Sequence, residues 1–193
     1  MSTITIEPAT PSRFDDTELT LTGGGDGGSC QCQWWMLTGA QFDATTRSER
    51  VELLREQHEQ TLAPGLIAYV DGEAAGWVKV APRTAQPRLA RTRAYAQNSP
   101  EPFDDPNVWA VSCFSVRREH RGQGLNAALL EAAVAFAKNH GARYVEGYPI
   151  DTDAGEKVSS NDLFHGALST FEAAGFREVA RHKPTRVIVG LDL

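Results

Sequence analysis

The sequence predicts a mixed α/β domain, and three local patterns carry that prediction. Val108–Val116 (VWAVSCFSV) is a nine-residue apolar run rich in β formers, as in a buried central strand. Leu125, Leu129, Ala132, Ala133 and Phe136 then recur at three- and four-residue spacing, the mark of an amphipathic helix. Leu66–Val70 and Ala75–Ala81 flank Asp71-Gly72, which reads as a hairpin.

The remaining elements follow in chain order. Ile4 and Ile6 alternate with Thr5 and Glu7, a short strand ended by Pro8. Residues 12–22 suit a helix. The run Gly23–Ser29 holds five glycines and reads as a flexible loop. Thr46-x-x-Glu49 is a capping box ahead of Val51, Leu53, Leu54 and Leu62, so a helix is expected over 46–62, ended by Pro64-Gly65. Residues 82–107 hold five prolines and read mostly as an irregular connection. Its Arg83, Arg88, Arg91 and Arg93 form either a solvated basic loop or an anion contact. After the amphipathic helix, closed by Asn139-His140-Gly141, residues 143–148 form another strand, stopped by Pro149. A polar loop leads to a helix over 161–174, capped by Ser160 or Asn161 and ended by Gly175. Residues 176–180 and 186–191 pair around Pro184.

Composition excludes several classes. The 193 residues suit one domain with room for a core without staples. Nineteen Lys and Arg against 25 Asp and Glu leave a net charge of −6, so no nucleic-acid partner is expected. No apolar run nears the ~18 residues of a membrane span, so no membrane partner is expected. Met1–Thr5 lacks a basic and then apolar leader, and three sparse cysteines suit reduced thiols, so the expected location is cytoplasmic. Cys30-x-Cys32 is too short for a zinc hook and no second pair follows, so no metal is expected. These thiols read as small half-buried groups beside Trp34 and Trp35, and Cys113 as a small buried hydrophobe.

The chemistry-bearing unit is strand, Arg121-Gly122-Gln123-Gly124, helix. Glycines there let the backbone approach a bulky anion, and the helix start offers free N–H groups and the positive end of its dipole. A diphosphate is the natural guest, with Arg121 as an added charge. A Walker loop would need Gly-Lys-Ser/Thr, which is absent. Ala127 and Glu146 fall near dinucleotide-fingerprint positions, but five residues separate the strand from the first glycine.

Arg121-Gly122-Gln123-Gly124-Leu125-Asn126 resembles the acetyl-CoA motif Q/R-x-x-G-x-G/A of the GCN5-related N-acetyltransferases, the GNAT superfamily, with Asn126 replacing the last small residue. Ala167 and Phe171-Glu172-Ala173-Ala174-Gly175-Phe176 resemble that family's A…Y-E-K-x-G-F segment. The resemblance spans the whole chain, most firmly over 66–182 and weakly over 1–45. It implies a GNAT-like mixed, mostly antiparallel central sheet of six to seven strands flanked by helices. Residues 1–193 would be a single domain, with 1–65 on the acceptor side and 66–193 as the acetyl-CoA-binding core.

The resemblance also implies a reaction: transfer of acetyl from acetyl-CoA to a primary amine of a small molecule, by direct attack on the thioester. Protein or peptide N-terminal acetylation and a catalytically silent CoA-binding sensory module are the alternatives. Phe114, Ser115 and Val116 would pair with the pantetheine, and Arg121, Gly122, Gln123, Gly124, Leu125, Asn126 and Ala127 would hold the pyrophosphate. The frequent acidic Tyr of the last helix is Phe171, which cannot donate, and a frequent Asn seven residues earlier is Phe164. Glu146 and Tyr148 lie two apart on one strand face and are the candidate acid or base. His120 and His165 read as surface or cap residues. Trp34 and Trp35 form either a wall of the acceptor pocket under a glycine lid or part of the core. A homodimer is compatible with the family, and the sequence does not name the acceptor.

Overall fold

The computed structural model of the chain describes residues 2–23 and 25–193. Strand β1 (Ile4–Pro8) and helix α1 (Phe14–Leu21) fall where the sequence places them. Helices α2 (Gly27–Cys30), α3 (Gly39–Ala44) and α4 (Arg47–His58) follow. The capping box of α4 is complete: the Thr46 hydroxyl accepts the Glu49 N–H, and the Glu49 carboxylate accepts the Thr46 N–H at 2.7 Å. Strands β2 (Leu66–Val70) and β3 (Glu73–Pro82) form the expected hairpin. Asp71 (φ 50°) and Gly72 (φ 84°) both sit in the left-handed region, as a two-residue turn of this hand requires. Helices α5 (Pro87–Arg91) and α6 (Arg93–Ala96) precede β4 (Val108–Val116), α7 (Leu125–Asn139) and β5 (Tyr144–Gly147). Helix α8 (Leu168–Ala173) and the pair β6 (Arg177–Lys183) and β7 (Arg186–Asp192) complete the chain.

Three expectations need correction. The glycine run is not all loop, since Gly27–Cys30 makes a helical turn; Gly24 lies outside the described residues. Its glycines answer to close packing: a Cβ on Gly23 would meet the Val116 carbonyl oxygen at 2.7 Å, and one on Gly27 the Leu21 oxygen at 2.5 Å. The stretch 82–107 is partly helical, because Pro87 sits in a first turn, where its missing N–H costs nothing. The helix over 161–174 is broken at Gly166 (φ 81°), leaving a 3-10 segment (Ser160–His165) and α8. Ser159 caps that segment by accepting the Asn161 N–H; the Ser160 side chain lies outside the described residues.

Among the described residues the sheet has seven strands in the order β1-β2-β3-β4-β5-β7-β6, and only the β4–β5 pair is parallel. Helix α7 covers one face, packing Leu129, Leu130, Ala133 and Ala137 on Val78, Val80, Val111 and Val145. Helices α1 and α4 cover the other, with Phe14, Leu21 and Leu54 against Ile67 and Trp77. Each fully buried leucine contributes about 1.5–3 kcal/mol, so both layers hold the sheet. Among the described residues no helix is long and apolar enough to cross a membrane.

Two irregularities of β4 place the site. Lys79 pairs with Cys113 but Val80 with Val111, so Ser112 is an extra residue, a β-bulge. Pairing with β5 covers only Val108–Val111 against Tyr144–Gly147. Beyond it Pro149, with no N–H to give, turns the chain toward Ala167 and Arg186, which Ile150 bridges. The strands therefore part, and among the described residues the β5-facing edge of Ser112–Val116 has no strand partner.

Candidate active site

A cavity of about 1060 Å³ opens where β4 and β5 part. Cys113, Phe114, Ser115 and Val116 of β4 form its floor, and Arg121, Gly122, Gly124, Leu125, Asn126 and Ala127 line one end. Gly122 (φ 76°) and Gly124 (φ 77°) take the left-handed conformation, and a Cβ on either would meet nothing within 4 Å. Glycine is thus demanded there by backbone conformation, while the space above stays open to a guest. The Ala127 N–H is taken by the Gly124 carbonyl (3.1 Å), so the N–H groups of Gly122 to Asn126 are the donors left at the start of α7. A diphosphate fits such a cradle, which joins oriented donors to the positive end of a fifteen-residue helix. Asn126 Oδ1 is buried without a partner among the described residues, where the motif usually has a small residue.

Arg121 is less free than its position in the motif suggests. Its guanidinium donates to the carbonyls of Gly23 (2.6 Å) and Val116 (3.2 Å), tying the glycine run to the end of β4. The Ser115 hydroxyl is likewise spent on the Thr20 carbonyl, so its backbone is what remains for a ligand.

The other end of the cavity is aromatic: Trp34, Trp35, Phe42, Phe164 and His165 line it. The tryptophans divide the two expected roles. Trp35 is 4% exposed, donates its indole N–H to the Ser112 carbonyl of the bulge (3.0 Å), and packs near Tyr95 and Tyr148. Trp34 is 39% exposed and carries the Arg88 guanidinium 3.7 Å from its ring. That stacking and a bond from Arg88 Nε to the Leu37 carbonyl also remove Arg88 from the solvated loop the sequence suggested.

Glu146 and Tyr148 are brought together but not brought to the cavity. The Tyr148 hydroxyl donates to Glu146 at 2.7 Å, yet neither residue lies on the cavity wall and both are fully buried. The reason is Arg83, which is itself buried, against the reading of a solvated basic loop. It pairs with Glu146 at 3.0 Å and donates to the Ser99 hydroxyl and the Glu101 carbonyl, while Ser99 donates to Glu146 at 2.6 Å. Burial and the Glu146 charge raise the Tyr148 phenol well above its ordinary range, so it holds its proton. Arg91 and Arg93 alone fit the solvated description.

Both histidines read as surface or cap residues are in fact buried and line the cavity. His120 approaches Glu73 at 3.8 Å. Glu73, Glu119 and His120 bring ligand atoms within 4.8 Å of one another, but Arg117 already bridges both carboxylates. His165 stacks on Phe164, and its Nδ1 has no partner among the described residues. Periodicity could not have found it, because it sits in a 3-10 segment.

Desolvation, with help from Arg186, pushes the His165 imidazole down to about 3. The unfolded chain binds a proton near pH 6.5, so between the two values it carries more protons than the fold. Stability is therefore full above pH 6.5 and falls as pH drops toward 3. At pH 5 the penalty from His165 is expected to be about 2 kcal/mol. Denaturant melts of the wild type and His165→Phe at pH 7 and pH 5 check this; parallel losses in the two proteins would contradict it.

A model of the acetyltransferase (GNAT) family matches residues 32–154, more than half of the chain. Among solved structures, a GNAT-family acetyltransferase from Streptococcus pneumoniae aligns with a TM-score of 0.55 at 14% identity, over 99% of this chain and 100% of that one. A GCN5-related N-acetyltransferase from Kribbella flavida gives 0.56 at 14% identity, over 98% of each chain. The PaiA N-acetyltransferase from Thermoplasma acidophilum, in complex with coenzyme A, gives 0.55 at 12% identity, over 99% of each. At these identities the structural likeness speaks for the fold. No curated protein matches the sequence.

Proposed function

The chain belongs to the acetyltransferase (GNAT) family, and we propose that it moves acetyl from acetyl-CoA to the primary amine of a small molecule by direct attack on the thioester. One observation carries the reading: the unpaired edge of β4 and the glycine cradle of α7 open into the same cavity, whose far end is aromatic. Phe114, Ser115 and Val116 would pair with the pantetheine amides as a false strand. The N–H groups from Gly122 to Asn126 would hold the pyrophosphate, with Arg121 fixing the loop. That leaves the thioester near the bulge at Ser112, where a backbone N–H of β4 polarises the carbonyl and stabilises the oxyanion. Trp34, Trp35, Phe42 and Phe164 then face the acceptor, favouring an amine with an apolar or aromatic body. Glu146 and Tyr148 act as positioning residues: with Arg83 they support the wall that carries Trp35. In this reading the chain acts as a single domain in the cytoplasm.

A panel of aliphatic, polyamine, aromatic and peptide amines with acetyl-CoA, read by thiol release, tests it. Turnover of aromatic or apolar small amines above peptides is expected. Turnover of peptides alone, or of nothing despite CoA binding, would overturn it. The two tryptophans should separate on the same assay. Trp34→Ala is expected to raise the KM for the amine while melting temperature and CoA affinity hold. Trp35→Ala is expected to cost about 3–5 kcal/mol of stability, since it removes a buried indole and orphans the Ser112 carbonyl. Equal melting temperatures for the two variants would refute the division.

A further inference from the structure

His165 stands on the cavity wall, and the reaction as described does not use it. It is 5% exposed, and its ring centre lies 5.7 Å from that of Trp35 and 4.1 Å from that of Phe164. Trp35 is pinned to the bulge by its bond to the Ser112 carbonyl, so His165 stands beside the bend of β4 where the thioester would sit. The next residue fixes the same place from another side. A Cβ on Gly166 would lie 3.1 Å from the Phe114 ring and 3.0 Å from the Phe171 ring. Phe114 belongs to the cavity floor, and Phe171 stands where the family resemblance expects a proton-donating tyrosine. The backbone holds this arrangement: the Ile150 N–H donates to the Gly166 carbonyl at 2.9 Å, and the Leu168 N–H to the Ile150 carbonyl at 2.8 Å.

A neutral imidazole carries one N–H and one acceptor nitrogen. Among the described residues Nδ1 is closed off without a partner, and Nε2 bonds to no protein group, so the ring meets the cavity through its Nε2 edge. A buried N–H left unpaired is rarer in folded proteins than an unpaired acceptor, which gives Nδ1 the lone pair and Nε2 the hydrogen. Neighbouring donors are already committed: the Trp35 N–H to Ser112, and Arg186 to Asp162 at 2.8 Å. A free donor in an aromatic setting suits a developing anion, because such a bond strengthens where water is excluded. Burial, helped by Arg186 on β7 and opposed by Asp162 on its own segment, keeps the ring uncharged down to about 3, so the donor is the same at any working pH.

We propose that His165 is a catalytic residue whose Nε2–H donates to the sulfur of acetyl-CoA as the thioester breaks. This rests on the acetyl-transfer reading above, and it fills the gap left by Phe171. The ammonium substrate gives one proton to solvent and enters as free amine. Its nitrogen bonds to the thioester carbon. The C–S bond breaks, and its electron pair stays on sulfur as a thiolate held by the Nε2–H. The nitrogen sheds a second proton to solvent, and the thiolate takes one back as CoA departs. The sum is ammonium plus acetyl-CoA to amide, CoA thiol and one proton, with His165 unchanged throughout.

The thiol of bound CoA reports on this donor without any amine. Its ionisation is followed by ultraviolet thiolate absorbance across pH, as the difference between protein saturated with CoA and with dethio-CoA. His165→Phe should raise the pH midpoint of the bound thiol by about one unit, because one bond to the thiolate is lost. His165→Gln keeps a side-chain N–H and should recover about half of that shift or more. Equal midpoints in the wild type and His165→Phe, with CoA bound by both, would overturn the proposal. With phenethylamine as probe, His165→Phe should lower kcat about tenfold to a hundredfold, with both KM values held and His165→Gln in between. A raised KM for the amine at constant kcat would make His165 a wall of the acceptor pocket and overturn the role. His165→Gln as slow as His165→Phe would overturn it too, since a group that carries a proton, unlike a fixed donor, has no substitute in an amide. If the wild type acetylates no amine while His165→Phe still shifts the bound thiol, the acetyl-transfer reading fails and the donor stands.

Discussion

Replacing Glu146 with glutamine is expected to cost the fold about 3–5 kcal/mol, because it leaves the Arg83 guanidinium buried without its counter-charge. Both side chains of the pair are 0% exposed, so solvent cannot take over. The carboxylate also accepts from Ser99 and Tyr148, and an amide cannot accept from all three donors with both of its atoms. Tyr148→Phe deletes one of those bonds and should cost only about 1–2 kcal/mol. Chemical denaturation of the two variants, with CoA affinity measured alongside, checks the order. If Glu146→Gln melts like the wild type while its kcat collapses, Glu146 acts on the reacting groups and the positioning role is wrong.

Gly124→Val is expected to weaken CoA binding about a hundredfold or more, roughly 3 kcal/mol, as two charge-assisted bonds to the pyrophosphate are lost. The added side chain would project into open space of the cavity, and a β-branched residue at φ 77° pulls the N–H groups out of line. Gly72→Val is the matched control. Its φ is 84° and its Cβ too would meet nothing, but it sits in the β2–β3 turn. Both variants should lose a similar, modest amount of stability from backbone strain, about 1–3 kcal/mol. Only the Gly124 variant should lose CoA in isothermal titration. Equal CoA affinity in both would place the pyrophosphate elsewhere.

What the sequence by itself determined is local. Val108–Val116 could be read as a strand, 125–139 as a helix and Asp71-Gly72 as a hairpin turn, because periodicity, capping and turn chemistry act over a few residues. The phosphate-type loop was legible for the same reason, since two glycines at a helix start are a short-range pattern. The resemblance to GNAT enzymes rested on that loop and on the segment around Phe171. Tertiary structure decided the rest. Arg83 and Glu146 are 63 residues apart, and nothing local shows that a proline-rich arginine segment folds inward to bury an ion pair. Trp34 and Trp35 are adjacent, and only the position of the Ser112 bulge separates a core indole from a rim indole. Cys32 was legible as a small half-buried thiol, and that its sulfur accepts the Trp77 indole N–H was not. That contact forms only once the turn after α2 packs on β3, because which groups are buried together is a property of the whole fold.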